Sequence, residues 1–135
     1  MCEIQFVVSN TLGNDNVNNF INMLECGSRS NRDATGIFSN AYQWKVGKAY
    51  HELKQNKDNS LRHILADLPS NWLVGHNRLA TQGSETNNDN NHPFSNDTCT
   101  VVHNGIIENF EEIKNQLLKE NRSFLSSTDS EVIAH

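Results

Sequence analysis

Short runs of alternating apolar and polar residues are spread along the chain, and such runs predict β-strands. The first, Glu3–Val8, is rich in β-branched residues and predicts a strand that begins almost at residue 2. Positions 36–39 and 42–46 predict two strands joined by a short turn, which is the pattern of a β-hairpin. Two further runs, 72–76 and 99–102, predict buried strands.

Other segments space their apolar residues so that they share one face of a helix. A helix is predicted from Asn16, as its capping residue, to Gly27. Residues 60–68 predict a second helix, and residues 109–120 a third with a capping pattern at its start. A capping box at 128–131 predicts that a fourth helix begins there.

The order of these elements predicts an α+β domain with antiparallel sheets. The hairpin excludes a purely parallel sheet, because its two strands run in opposite directions. A length of 135 residues is typical of a single domain. Neither an internal repeat nor a linker divides the chain, although residues 81–91 form an almost unbroken polar loop. We therefore expect residues 1–135 to form one domain.

Charge and composition narrow the function classes. Sixteen acidic against eleven basic side chains give a net charge of −5, which argues against a nucleic-acid-binding protein. No apolar run approaches the roughly 20 residues that cross a bilayer, and the N-terminus lacks a signal pattern, so we expect a cytoplasmic protein with no membrane contact. Three cysteines form no disulfide framework, and the six histidines lack metal-ligand spacing, so no metal or cofactor is expected.

Cys2 is the first candidate for catalysis. If Met1 is removed, Cys2 carries both a thiol nucleophile and a free α-amine. Because the reference pKa of an α-amine lies near 7.7–8.0, part of it is neutral at pH 7 and it can act as a general base. The plainer interpretation is a small residue at the start of a strand.

Three further positions have both a functional and a structural interpretation. The Asn104-Gly105 pair follows an apolar strand; it is either a tight turn or a pair of donors for a developing oxyanion. Arg78 follows a buried strand and needs a partner, which is either a substrate carboxylate or a structural salt bridge. Asp129 either caps a helix or binds a substrate ammonium.

Six segments resemble, in the same order, those of the class II glutamine amidotransferase family. The closest likeness is to the glutaminase domain of glucosamine-fructose-6-phosphate aminotransferases. The segments are Met1-Cys2, 33–37, 75–83, 91–93, 102–109 and 128–133. Together they span nearly the whole chain.

The resemblance implies an N-terminal nucleophile hydrolase, in which two antiparallel sheets face each other between helical layers (an αββα sandwich). It implies that Cys2, exposed by loss of Met1, attacks the side-chain amide of glutamine. The α-amine of the same residue then moves the proton, through a water. Asn104 and the backbone N–H of Gly105 match the oxyanion hole of the family.

The resemblance also implies how the amino-acid part of the substrate is held. Arg78 matches the residue that binds the α-carboxylate of glutamine, with Thr81 assisting. Asp129 matches the residue that binds the α-ammonium. His76 and His103 are expected to orient loops through hydrogen bonds.

This sequence departs from the family pattern at two positions and in length. Glu3 replaces a glycine next to the nucleophile, and Leu79 replaces an aromatic residue after the binding arginine. The glutaminase domain of the family is longer, so 1–135 is expected to be a truncated domain, either a fragment of a longer chain or a minimised domain that lends its sheet edge to a partner in an oligomer. Ammonia is expected to pass to a synthase domain or subunit.

Two other functions remain open at this stage. Glu3 and the short length are also compatible with a catalytically silent module that binds glutamine for regulation. A different amide-cleaving hydrolase on the same fold is the third interpretation, and it would not need Arg78 and Asp129.

Overall fold

The computed structural model describes residues 2–54 and 60–135. Met1, whose removal the sequence analysis predicts, lies outside the described residues. The strands are β1 (Glu3–Val8), β2 (Ala34–Phe38), β3 (Gln43–Val46), β4 (Trp72–Arg78), β5 (Phe94–Ser95) and β6 (Thr100–Val101). The α-helices are α1 (Asn14–Ser28), α2 (Tyr50–Lys54), α3 (Ser60–Ala66) and α4 (Phe110–Lys119). Two 3₁₀ helices cover Asn88–Asn90 and Ser130–Ala134.

The strands form two antiparallel sheets, which confirms the predicted α+β class. The larger sheet has the order β1-β4-β2-β3, and the smaller one pairs β5 with β6. The predicted hairpin is β2–β3, in which Ile37 pairs with Trp44. Strand β4 is central, because Gly75 pairs with Gln5 on one side and with Ile37 on the other. This register places the C-terminal end of β4 beside the N-terminal end of β1.

The hydrophobic core lies between the larger sheet and the helices that cover one of its faces. Helix α1 packs on β1 and β4 and also contacts α2 and α3. The buried residues of this cluster are Leu12, Val17, Phe20, Ile21, Leu24, Ile37, Tyr50, Leu65 and Leu73. Gly36 on the other sheet face lies so close to the carbonyl oxygen of His92 that a Cβ atom there would come within 2.0 Å of it. The chain around His92 therefore covers the opposite face.

The N-terminal helix begins earlier than predicted. Its N-cap is Gly13, and Asn16 lies inside the first turn, where its side-chain oxygen accepts the Gly13 N–H at 3.2 Å. The prediction that Asn16 is the capping residue was therefore wrong. The amide of Asn16 satisfies a backbone donor from the third helical position, which a capping pattern alone does not distinguish from the cap itself.

The C-terminal segment also differs from its prediction. Residues 128–131 do not start an α-helix; a 3₁₀ helix covers Ser130–Ala134. Glu131 does not complete a capping box either. Its carboxylate accepts the N–H groups of Leu125 at 2.9 Å and Ser126 at 2.8 Å. Burial alone would raise the pKa of this carboxyl group, but the hydrogen bonds outweigh burial and lower it.

Within residues 2–54 and 60–135, none of the helices has both the length and the apolar composition that a bilayer crossing needs.

Candidate active site

One cleft brings together five of the six residues that the sequence analysis singled out. The five that line it are Cys2, Arg78, Thr81, Gly105 and Asp129. The sixth, Asn104, contacts the backbone of Cys2 beside the cleft. The cleft lies where β1 begins and β4 ends, and its other side includes His103, Gly105 and residues 128–130. Residues that are far apart in the sequence therefore converge at one end of the larger sheet.

Cys2 is half-buried and its sulfur contacts the backbone of Leu79. The Leu79 N–H donates to Sγ at 3.4 Å, and the thiol lies 3.5 Å from the carbonyl oxygen of the same residue. The antiparallel pairing of Glu3 with Asn77 produces this contact, because it places Cys2, which precedes β1, opposite Arg78 at the end of β4 and so beside Leu79. The thiol is thus held next to the residue that follows Arg78.

Glu3 directs its carboxyl group away from the thiol. Its Cδ lies 2.8 Å from the position that a Cβ atom on Gly27 would occupy, so the side chain lies against α1. Neighbouring residues of a strand point to opposite faces of the sheet. Glu3 and Gln5 therefore share the helix-covered face, and Cys2 lies on the other side.

Arg78 is 3% exposed and is held by three acceptors from the loop that follows β4. Its guanidinium donates to Asn91 Oδ1 at 2.8 Å, to the Gly83 carbonyl at 3.0 Å and to the Gln82 carbonyl. Burial lowers the pKa of Arg78, and acidic groups around the cleft oppose that shift. A guanidinium has five N–H donors, so two remain for a ligand.

The sequence left two partners open for Arg78, a substrate carboxylate and a structural salt bridge, and its hydrogen-bond acceptors bear only on the second. All three are neutral oxygens, and Arg78 forms no salt bridge within the described part of the chain. The alternative of a structural salt bridge is therefore wrong among these residues. Binding of a substrate carboxylate stays a prediction, as does the assisting role of Thr81, which is exposed at the rim of the cleft.

Asp129 is buried and does not cap the helix that follows it. Its side chain makes no capping hydrogen bond. Instead, Oδ2 accepts the N–H of Ile107 at 2.7 Å and Oδ1 accepts the hydroxyl of Ser130 at 3.1 Å. The capping interpretation was therefore wrong, and a buried carboxylate faces the cleft with charge available to a cation.

Asn104 and Gly105 are both exposed beside the cleft. Asn104 Nδ2 donates to the carbonyl oxygen of Cys2 at 2.7 Å, which leaves the second hydrogen of this amide free. Gly105 does not adopt the left-handed backbone conformation that some tight turns require of glycine. A Cβ atom there would lie 2.8 Å from Nε2 of His103, so a larger residue would require the imidazole to move.

Histidines support the wall of the cleft, which confirms that His76 and His103 orient loops. His76 is 1% exposed, and its Nε2 lies 3.2 Å from the carbonyl oxygen of His103. His92 stacks on His76 with ring centroids 4.1 Å apart. Burial lowers the pKa of His76 to about 4 and that of His92 to about 2, so both rings are neutral at pH 7.

Asparagine side chains stabilise the polar loop, and the sequence analysis did not single them out. Asn91 bonds Arg78 and also donates to the Glu85 carbonyl at 2.8 Å. Asn90 donates to the Ser84 carbonyl at 2.9 Å and accepts the N–H of Ser127 at 3.0 Å. Their hydrogen-bond partners depend on the folded path of the loop, which the sequence does not reveal.

Among the residues that the structure describes, no group of three His, Cys, Asp or Glu side chains is arranged to hold a metal ion.

The model of a known protein family matches residues 35–135, which is most of the chain, and its description is "Glutamine amidotransferase domain". Curated relatives with the name glutamine–fructose-6-phosphate aminotransferase (isomerizing) are also similar. The one from Chlamydia abortus is 54% identical over 77 residues, which is 55% of this chain and 13% of the relative. The one from Gluconobacter oxydans is 46% identical over 81 residues, or 58% of this chain and 13% of the relative. The chain thus spans about an eighth of their length.

A solved structure has a similar fold. It is the glutamine phosphoribosylpyrophosphate amidotransferase from B. subtilis, in complex with ADP and GMP. The superposition has a TM-score of 0.67 and covers 100% of this chain and 28% of that one, at 20% sequence identity.

Proposed function

Since this chain belongs to the glutamine amidotransferase domain family, we propose that it hydrolyses the side-chain amide of glutamine with Cys2 as the nucleophile. The observation that carries the proposal is the meeting of Cys2, Arg78 and Asp129 in one cleft. A free amino acid presents one carboxylate and one ammonium. A buried guanidinium and a buried carboxylate are complementary to these two charges, and the thiol is left for the amide.

The first half of the reaction forms a thioester. The sulfur of Cys2 attacks the amide carbon, and the α-amine of the same residue takes the thiol proton through a water. The amide oxygen becomes negative and accepts hydrogen bonds from the Gly105 N–H and the free hydrogen of the Asn104 amide. When the C–N bond breaks, the α-amine returns the proton to the leaving nitrogen, and ammonia departs.

The second half regenerates the thiol. A water attacks the thioester carbon while the α-amine accepts a proton from it. The C–S bond then breaks, the sulfur regains a proton, and glutamate leaves. Both halves need a free α-amine on Cys2, so they depend on removal of Met1.

We further propose that the ammonia passes to a synthase domain or subunit, within a longer chain or an oligomer. The curated relatives are named for transfer to fructose 6-phosphate, so a sugar phosphate is the acceptor that this similarity favours. Residues 1–135 would then be part of a glutaminase domain.

The structure weakens one argument for the alternative of a catalytically silent glutamine-binding module. That alternative rested partly on a carboxylate next to the nucleophile. Glu3 instead lies against Gly27 on the opposite face of the sheet. The carboxylate of Glu3 therefore does not lie beside the thiol of Cys2.

Release of glutamate from glutamine tests the proposal. Wild type is compared with Cys2→Ala and with Cys26→Ala, a matched control at an exposed cysteine of α1. We expect the Cys2 variant to lose activity by at least about 10³-fold and the Cys26 variant to keep it. Equal rates in wild type and the Cys2 variant would refute the proposal. Stabilisation by glutamine without turnover in wild type would support a silent binding module.

A further inference from the structure

One carboxylate holds both ends of the segment that contains the oxyanion-hole residues. Asp129 Oδ2 accepts the backbone N–H of Ile107 at 2.7 Å. Its Oδ1 accepts the hydroxyl of Ser130 at 3.1 Å, and Ser130 Oγ lies 3.0 Å from Nδ1 of His103. His103 and Ile107 flank Asn104 and Gly105. Displacement of this carboxylate would therefore remove the hydrogen bond to Ile107 and disturb the one that Ser130 makes with His103.

The donor and the acceptor of each hydrogen bond from Asp129 through Ser130 to His103 follow from the chemistry of the three side chains. A carboxylate only accepts, so Ser130 donates its single hydroxyl hydrogen to Asp129. The same hydroxyl must then accept from His103, which places the hydrogen of the imidazole on Nδ1. His76 donates from Nε2 to the carbonyl oxygen of His103 at 3.2 Å, so the backbone of this residue is held as well as its ring.

The imidazole of His103 in turn limits the position of Gly105. Its Nε2 lies 2.8 Å from the site that a Cβ atom on Gly105 would occupy, closer than real Cβ contacts come. The Gly105 backbone therefore packs directly on the ring. Rotation of the ring would move the N–H that faces the developing oxyanion.

We infer that Ser130 and His103 are positioning residues that couple the site for the substrate ammonium to the oxyanion hole. The inference rests on the proposed function. An ammonium bound to Asp129 keeps the carboxylate from rotating, so the hydrogen bonds to Ser130 and Ile107 persist while the oxyanion forms. A substrate without an ammonium loses its ion pair and also this support of the oxyanion hole. Loss of the ammonium therefore lowers kcat as well as raising KM.

Glutaramic acid, which is glutamine without its α-amino group, is the probe for this coupling. We measure kcat and KM for glutamine and for glutaramic acid with the protein as its gene encodes it. Wild type is expected to lose about 10-fold or more in kcat when the ammonium is absent. A rise in KM with kcat unchanged would overturn the inference, and that result needs no variant.

Ser130→Ala and Ser130→Thr complete a cycle with the two substrates. The alanine variant is expected to lose about 10-fold in kcat for glutamine, and removal of the ammonium then costs it little more in kcat. The threonine variant keeps the hydroxyl and restores the dependence on the ammonium. If loss of the ammonium lowers kcat by the same factor in wild type and in the alanine variant, the Ser130 hydroxyl and the ammonium act independently and the coupling is refuted. Absence of glutamate release by wild type is a separate result, which rejects the proposed function itself.

Discussion

The side-chain amide of Asn104 donates a hydrogen bond to the backbone carbonyl of Cys2, with 2.7 Å between Nδ2 and O. This bond joins the proposed oxyanion donor to the residue that carries the proposed nucleophile. The distance between the sulfur and the oxyanion hole is therefore set by a direct contact and does not depend on the wider fold alone.

Replacement of Asn104 by alanine removes this bond and one donor to the oxyanion. We expect kcat for glutamine to fall by a factor on the order of 10²–10³, with a smaller change in KM. The matched control is Asn109→Ala, because Asn109 is the N-cap of α4 and its side chain makes no capping hydrogen bond. Steady-state kinetics of both variants check the prediction, and a similar loss in both would contradict the role of Asn104.

Alanine at Gly105 is expected to reduce activity for a steric reason. The added Cβ would approach the His103 ring to 2.8 Å, and Ser130 holds that ring in place. We expect kcat to fall by at least about 10-fold because the backbone donor must shift. Gly13→Ala is the control, since the nearest atom to a Cβ there is 3.9 Å away. Unchanged kcat in the Gly105 variant would contradict the prediction, because it would show that the His103 ring moves aside and the backbone donor does not.

Arg78→Lys keeps the charge but removes the fork of donors. Arginine holds three loop oxygens at once, and lysine cannot match that planar geometry. We expect KM for glutamine to rise by about 10-fold or more and the melting temperature to fall, because buried acceptors lose their partners. Arg29→Lys, at an exposed side chain of which 67% is accessible, should change neither quantity.

Stability is expected to fall as the pH is lowered from 7 to 4. Burial holds the pKa of His76 at about 4, below the ordinary value of 6.5. As the pH falls, the imidazole is therefore protonated in the unfolded chain at a higher pH than in the folded protein. Its neutral form therefore contributes stability above pH 6.5 that is lost progressively towards pH 4, on the order of 3 kcal/mol. His92, with a pKa of about 2, extends the loss to lower pH.

His92→Leu tests this dependence, because it removes one buried imidazole. Neither ring nitrogen of His92 has a hydrogen-bond partner among the described residues, so the substitution breaks no hydrogen bond there. The variant is expected to lose less stability than wild type between pH 7 and 5. His63→Leu, at an exposed histidine, should keep the slope of wild type. Denaturant titrations at several pH values measure these slopes, and a wild-type slope in the His92 variant would contradict the assignment.

The four strands of the larger sheet and its hairpin could be predicted from the sequence because alternation is a local signal, whereas the strand order β1-β4-β2-β3 could not. The strand over residues 99–102 was shortened to Thr100–Val101, and β5 was missed, because short strands depend on their partners more than on their own pattern. The capping predictions failed at Asn16 and Asp129 for a related reason. A polar side chain near a helix start has several backbone donors within reach, and tertiary structure selects among them.

The candidate site was predicted from six ordered segments, and five of its six residues line one cleft in the structure. Among the supporting residues, the roles of His76 and His103 were predicted, but those of Ser130 and Asn91 were not. Ser130 has an ordinary sequence context, and its role emerges only from its position between Asp129 and His103. Asn91 begins one of the six ordered segments, 91–93, but its contact with Arg78 depends on how the polar loop folds back.

Peptide mapping after reaction with a chloromethyl ketone derived from glutamine tests the central claim most directly. The reagent presents the amino-acid group of glutamine and an electrophilic carbon in place of the amide. Cys26 and Cys99 are exposed and Cys2 is half-buried, so unguided alkylation would favour the first two. We predict one adduct, on a Cys2 that has lost Met1, and protection by excess glutamine. Labelling of Cys26 and Cys99 with Cys2 unmodified would contradict the account.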